Sequence, residues 1–167
     1  MSLPQQKFRE IVFQLLFSYD LSRGDEEVLL PMLMAELCVS KKSVREAWLK
    51  MQCIWQDKNL LDKRISEISK EYALDRIQKV ERNILRLAIF ELLKDNSIPP
   101  KVAISEGMRL ARKFSSPEAA LYVNALLDTV YKESLGENVD ATLIEAAAQE
   151  LIESEAIVED VVHPSLD

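Results

Sequence analysis

Glycine is scarce: the chain has three in 167 residues, against a usual share of roughly 7%. So few leave little for tight hairpins or a phosphate-cradling loop, no Gly-rich fingerprint is present, and strands are not expected. Histidine occurs once, as His163, which argues against histidine-based triads and multi-histidine metal sites; its terminal position predicts exposure. Cys38 and Cys53 stand 15 apart with no CxxC, in apolar surroundings, and read as buried free thiols rather than a disulfide or a zinc site. No uncharged apolar run reaches the ~18 residues that a bilayer requires. The N-terminus has no signal-peptide pattern, so a cytoplasmic protein without membrane association is expected. No carboxylate pair is constrained enough for acid-base catalysis. Neither enzymatic activity, a metal nor a cofactor is expected.

What is present is apolar material and unevenly placed charge. Apolar residues make up 48% of the chain, enough for one core, in one domain with an appendage. The net charge of −7 hides two regions. Residues 1–136 hold 21 Lys and Arg against 19 Asp and Glu, a balance of +2, while residues 137–167 hold nine acids and no Lys or Arg, a balance of −9. The boundary near Gly136 separates a mildly basic body, 1–136, from an acidic extension, 137–167. Association depends on such local fields rather than on the average, because salt screens charge over about 8 Å.

Helical periodicity runs through the body. Phe8, Ile11, Val12, Leu15, Leu16 and Tyr19 form a first stripe that ends before Gly24, with Phe13 and Phe17 off it. Asp25, Glu26 and Glu27 suit a second helix start, with Pro31 as a kink or early-turn residue. Ser43 and Glu46 fit a capping box, although Ser40 also suits the start, ahead of Val44, Trp48, Met51 and Trp55. Both tryptophans read as core. A helix through Leu61, Ile65 and Ile68 should stop near Tyr72, and Asp75 should cap the next, where Ile77, Val80, Ile84, Leu87, Ala88 and Leu92 make the apolar face and Arg76, Lys79, Arg82 and Arg86 carry positive charge. Pro100 opens a helix in which Gly107 permits close contact, and Ser116 with Pro117 opens another. In the extension, Asp140 caps a helix with Leu143, Ile144, Ala147, Ala148, Leu151 and Ile152 on one face, which predicts that it packs on something. The chain therefore reads as all-α, six or seven helices plus an acidic C-terminal one.

Arg9-Glu10 through Gln14 to Asp20, VERNILRLAIFELL (80–93), IPPKVAISEGMRLARKF (98–114) and YVNALLD (122–128) resemble the NusB family of transcription antitermination factors. The resemblance spans residues 7–132. It implies two small helical bundles packed together and a non-catalytic function: binding boxA-type single-stranded RNA jointly with the ribosomal protein NusE, so that the transcription elongation complex reads through terminators, notably in rRNA operons. It says nothing about the extension. Where family members begin with an Arg-rich run, only Lys7 and Arg9 stand here.

The resemblance places Lys7 and Arg9 on an RNA-binding arm, where phosphates would be neutralised, with solvated surface charge as the alternative. Lys101, Arg109, Arg112 and Lys113 form a second basic cluster near Tyr122, whose ring either stacks an unpaired base or closes the edge of the core. Glu118 corresponds to an acidic position beside the RNA and would tune binding by repulsion. Glu81 and Phe17 correspond to NusE-binding positions, with a helix-surface ion pair and core packing as their alternatives. Arg82 and Arg86 recur on the same helix face and are further NusE-binding candidates, with electrostatic decoration of the helix as the alternative. Asn124, in an apolar helix, reads first as a structural hydrogen-bonding residue and second as an RNA contact. The acidic extension would lie over the RNA patch and oppose unspecific RNA, or simply cover a groove or the surface of a homodimer. A rival is an interaction adaptor with little intrinsic RNA binding. Another, an RNA cytosine methyltransferase carrying a domain of this kind, requires an α/β cofactor domain that is not in this sequence.

Overall fold

The computed structural model describes residues 3–162, and His163 lies outside them. Among the described residues there are eight helices: α1 (Gln5–Ser22), α2 (Glu26–Leu37), α3 (Lys41–Gln56), α4 (Lys58–Ile68), α5 (Lys79–Lys94), α6 (Pro100–Phe114), α7 (Pro117–Ser134) and α8 (Thr142–Val162). None is long and apolar enough to cross a membrane. Their ends follow local chemistry. Ser40 and Ser116 accept hydrogen bonds from the Ser43 and Ala119 amides at 3.2 and 3.1 Å, and Pro100 and Pro117 begin their helices where no amide donor is needed. At the end of α1, Arg23 takes the left-handed conformation (φ 51°) and returns its amide to the Tyr19 carbonyl.

Helix α5 is the axis. Ile84, Leu85, Leu87, Ala88 and Ile89 are all buried, and α1, α3, α4, α6 and α7 pack around it. α1 and α2 pack on α3 to form one small bundle, while α5, α6, α7 and α4 form the second. α8 lies along α7. The three helices α5, α6 and α7 meet most closely at Gly107: a Cβ there would stand 2.7 Å from Leu127 Cδ1 and 3.4 Å from both Ala88 Cβ and Val123 Cγ1.

Several sequence expectations are corrected. Both cysteines are free but exposed; Cys38 follows α2 in a left-handed turn (φ 52°), and Cys53 points away from the Met51–Ile54 side of α3 that enters the core. Ser40 caps α3, so Ser43 lies within its first turn. α4 ends at Ile68 instead of near Tyr72, and Asp75 sits in a turn while α5 starts after Gln78. Trp48 is buried but Trp55 is only half-buried, edge-on to Tyr19 with the Arg23 guanidinium 4.2 Å from its ring centre. On α8, Ile144, Ala148 and Leu151 are buried, whereas Leu143 is 73% exposed.

The crowding at Gly107 yields a stability prediction. Gly107→Val should cost about 2 kcal/mol, since overpacking typically costs 1–3. Gly107→Ala should stay within about 1 kcal/mol, because alanine's helix preference offsets the displacement of Leu127. Urea unfolding measures both; a valine variant as stable as the parent would contradict close packing here.

Candidate nucleic-acid and partner interface

The cationic residues sort into two groups once their partners are known. Arg9 is 5% exposed, and its Nε and Nη2 donate to the Glu91 carboxylate at 2.9 and 3.0 Å, with Glu106 at 3.6 Å. Lys50 reaches the same Glu91 at 3.7 Å. The sequence reading of Arg9 as an exposed arm residue is therefore corrected: its guanidinium joins α1 to α5 and α6. Arg86 is corrected likewise. At 2% exposure, it donates to both oxygens of Asp62 at 2.7 and 2.9 Å and to Asp20 at 3.2 Å. Asn83 completes this cluster by donating to Asp20. Burial works to raise the Asp20 carboxyl, but Asn83, Arg86 and Lys79 outweigh it and hold it below the usual carboxylate range.

α6 carries Lys101, Arg109, Arg112 and Lys113 on two adjoining strips. Lys101, Ser105, Met108 and Arg112 recur every three or four positions along one strip; Met108 is half-buried and the others are exposed. Lys101 and Arg112 have no ion pair among the described residues. The neighbouring strip faces α1. Arg109 donates to Glu106 and Glu10, both at 2.6 Å, Lys113 donates to Glu10 at 2.9 Å, and Gln6 donates to Glu106 at 3.0 Å. Glu10 is thus held by two cations. Burial would raise its carboxyl, but hydrogen bonds from Arg109 and Lys113 overcome this and keep it low, while the same contacts hold the Arg109 guanidinium up against the effect of burial. Lys7, half-buried one turn before Glu10, has no ion pair among the described residues. Glu10 was not singled out from the sequence. Its partners lie about 100 positions away, so no local pattern announces it.

Tyr122 is fully buried. Its hydroxyl meets Ser69 Oγ, and its ring stands edge-on to Tyr72, centroids 5.6 Å apart, so the core alternative describes its position and the stacking alternative is corrected. Burial keeps both phenols protonated far above the ordinary tyrosine range. Glu118 is half-buried in the first turn of α7, where its charge opposes the helix dipole. Asn124 is half-buried on a groove of about 400 Å³ between α7 and α8, shared with Leu121, Asp128 and Leu143.

The expected NusE-facing residues also divide. Glu81 is fully buried: Oε1 accepts from Ser115 Oγ at 2.6 Å, and Oε2 has no partner. Neither the surface ion pair nor an exposed partner contact describes that position. Arg82 is half-buried and donates to the Ile77 carbonyl at 2.8 Å. Phe17 is half-buried, 6.2 Å from the Phe13 ring, and Leu21, one turn further along α1, is 57% exposed. The sequence reading missed Leu21 because it falls outside the main apolar stripe. No ion pair joins a described residue of α8 to the basic strip.

These elements define an all-helical scaffold in which Arg9 and Arg86 are bound internally while Lys101 and Arg112 form a short cationic strip on the surface of α6. The chain matches the model of the NusB family over residues 6–132, and it belongs to that family. It is 37% identical to the transcription antitermination protein NusB of Chlamydia pneumoniae, over 81% of this chain and 85% of the relative. Among solved structures, T. maritima NusB superposes with a TM-score of 0.70 at 32% identity, covering 80% of this chain and 94% of that one. A chain from a crystal structure of the antitermination factors NusB and NusE with dsRNA gives 0.66 at 25% identity, covering 77% and 96%. α8 lies beyond the matched residues.

The two groups of cations should respond differently to mutation. Arg9→Ala leaves Glu91 buried without its main partner and should destabilise the protein by about 3 kcal/mol. Lys7→Ala, two positions away on the same helix, should change stability by no more than about 0.5 kcal/mol. Equal losses in thermal unfolding would contradict the division.

Proposed function

We propose that this protein acts in transcription antitermination as a non-catalytic assembly platform, presenting α6 to boxA-type single-stranded RNA and an adjacent surface to NusE. The observation that carries the RNA side is the exposed pair Lys101 and Arg112, one helix strip without carboxylate partners among the described residues. Lys113 and Lys7 extend it toward α1. Phosphate oxygens would replace water around these side chains and release counterions. Glu118, at the start of α7, would disfavour misplaced phosphates beside Arg112.

The partner side is supported by Phe17 with Leu21, an apolar pair on α1, and by Arg82 nearby on α5. Glu81 would contribute by holding Ser115 and the α6–α7 turn rather than by direct contact. Each ligand would strengthen the other's binding by an equal factor, because coupling between two binding events is reciprocal. Joint binding also suits a short cationic strip, since few phosphate contacts yield modest intrinsic affinity. The complex would favour read-through by RNA polymerase, in rRNA operons above all, and act in the cytoplasm. Residues 1–136 would form this platform, and 137–167 an accessory extension.

A second reading gains from the burial of Arg9, which removes one of only two basic residues at the N-terminus. In that reading the protein is an adaptor that binds NusE with little RNA affinity of its own. Titration of labelled boxA RNA and a scrambled control, with and without NusE across a salt series, separates the two. The platform reading expects preferential binding that tightens with NusE; NusE binding without either RNA establishes the adaptor.

Glu10→Gln gives an independent check. Freed from that carboxylate, Lys113 should become available to phosphate while Arg109 stays on Glu106, steepening the log-log salt slope by about 0.7 for the one new contact. An unchanged slope would count against this side of α6 as the RNA surface.

A further inference from the structure

α8 is attached in two unlike ways along its length. Its first half seats Ile144, Ala148 and Leu151, none more than 4% exposed, in the interface that α8 makes with α7. Its second half has a single polar tie to the body among the described residues: Tyr72 Oη donates to Glu155 Oε2 at 2.7 Å. Beyond that tie, Ile157, Val158, Val161 and Val162 are between 60% and 76% exposed. The apolar stripe that docks the first half has run past the body by this point.

The groups around Glu155 explain why the tie is conditional. Tyr72 faces it from the α4–α5 connection, Glu81 from α5, Tyr122 from α7 and Glu159 from α8 itself. None of these is a cation, and neither Glu81 nor Glu155 has an ion pair among the described residues. Glu155 Oε1 and Glu81 Oε2 are both buried without hydrogen-bond partners. An ionised Glu155 would therefore place an uncompensated charge at a half-buried site beside a second carboxyl, an unfavourable arrangement that protonation relieves.

We propose that Glu155 is an acid latch: protonated, it closes the second half of α8 over Tyr72 and Tyr122, and ionised, it lets that half lift while the first half remains docked. Burial, then the charges of Glu81 and Glu159, push the Glu155 carboxyl above its ordinary value of 4.5, against the opposing pull of the Tyr72 hydrogen bond. The latch is therefore tightest below the ordinary value and loosens as pH rises through the raised one. Near neutrality the second half of α8 is the readily displaced part of the fold. Lifting it uncovers the Tyr72 and Tyr122 rings beside Glu81 without disturbing the α6 strip.

Hydrogen–deuterium exchange of the full chain at pH 5 and pH 8, corrected for intrinsic amide rates, tests the latch. Protection of residues 152–158 should fall on going to pH 8, by at most about tenfold for each unit by which the Glu155 value is raised because pH 5 already lies above the ordinary value of 4.5, while residues 144–151 keep theirs. Glu155→Gln, neutral at both pH values, should remain protected at both. Tyr72→Phe, which removes the bond favouring the ionised form, should loosen the segment but move the pH midpoint upward. Equal wild-type protection at both pH values, or a Glu155→Gln protein with the wild-type pH dependence, overturns the proposal; if the glutamine variant does not fold, the direction of the Tyr72→Phe shift decides it.

Discussion

Everything in this fold depends on how α5 can be buried on all sides while carrying charge. Five helices pack around it, yet Arg86 and Glu91 are among its buried residues. Charges in that position must be met by opposite charges or hydrogen bonds, since removing one member of a buried pair costs about 3–5 kcal/mol. α1 meets two of them. Arg9 binds Glu91 toward one end of α1, and Asp20 binds Arg86 toward the other. These ties fix the crossing of the two helices in register, and with it the way the two bundles pack against each other.

This constraint also shapes the surface. Cations used to satisfy the interior are withdrawn from any ligand, and Glu10 partly occupies two more by bridging Arg109 and Lys113. Lys101 and Arg112 remain clear of such pairing among the described residues. In this member of a family whose relatives are transcription antitermination proteins, the cations that face α5 are committed to the interior, and those that stay unpaired are on the surface. The formal charge of −7 would mislead on this point, because nine of the 28 acids lie on an extension whose described residues make no ion pair with the strip.

Much of the architecture was legible from periodicity and capping chemistry. The apolar stripes of α1, α5, α6 and α7, the Pro100 and Pro117 starts and the Ser116 cap all act over three or four residues, so adjacent sequence reveals them. What could not be read was the partner of each polar residue. Arg9 looks like an arm residue until Glu91 is brought to it from 82 positions away, and Tyr122 looks like a stacking ring until the Ser69–Tyr72 turn covers its hydroxyl. Glu81 and Arg86 look like surface charge on a helix that tertiary packing then encloses. The exposed thiols follow the same rule: apolar neighbours in sequence do not guarantee apolar neighbours in space.

In the proposed platform, cations on the outer strip of α6 serve the ligand while those between α1 and α5 serve the fold. Side-chain NMR of the arginine Nε–H groups during titration with boxA RNA tests it directly. The Arg112 signal should shift with RNA concentration while those of Arg9 and Arg86 stay in place, their bonds to Glu91, Asp20 and Asp62 intact. Shifts at Arg9 or Arg86 of the same size, with Arg112 unmoved, would contradict it.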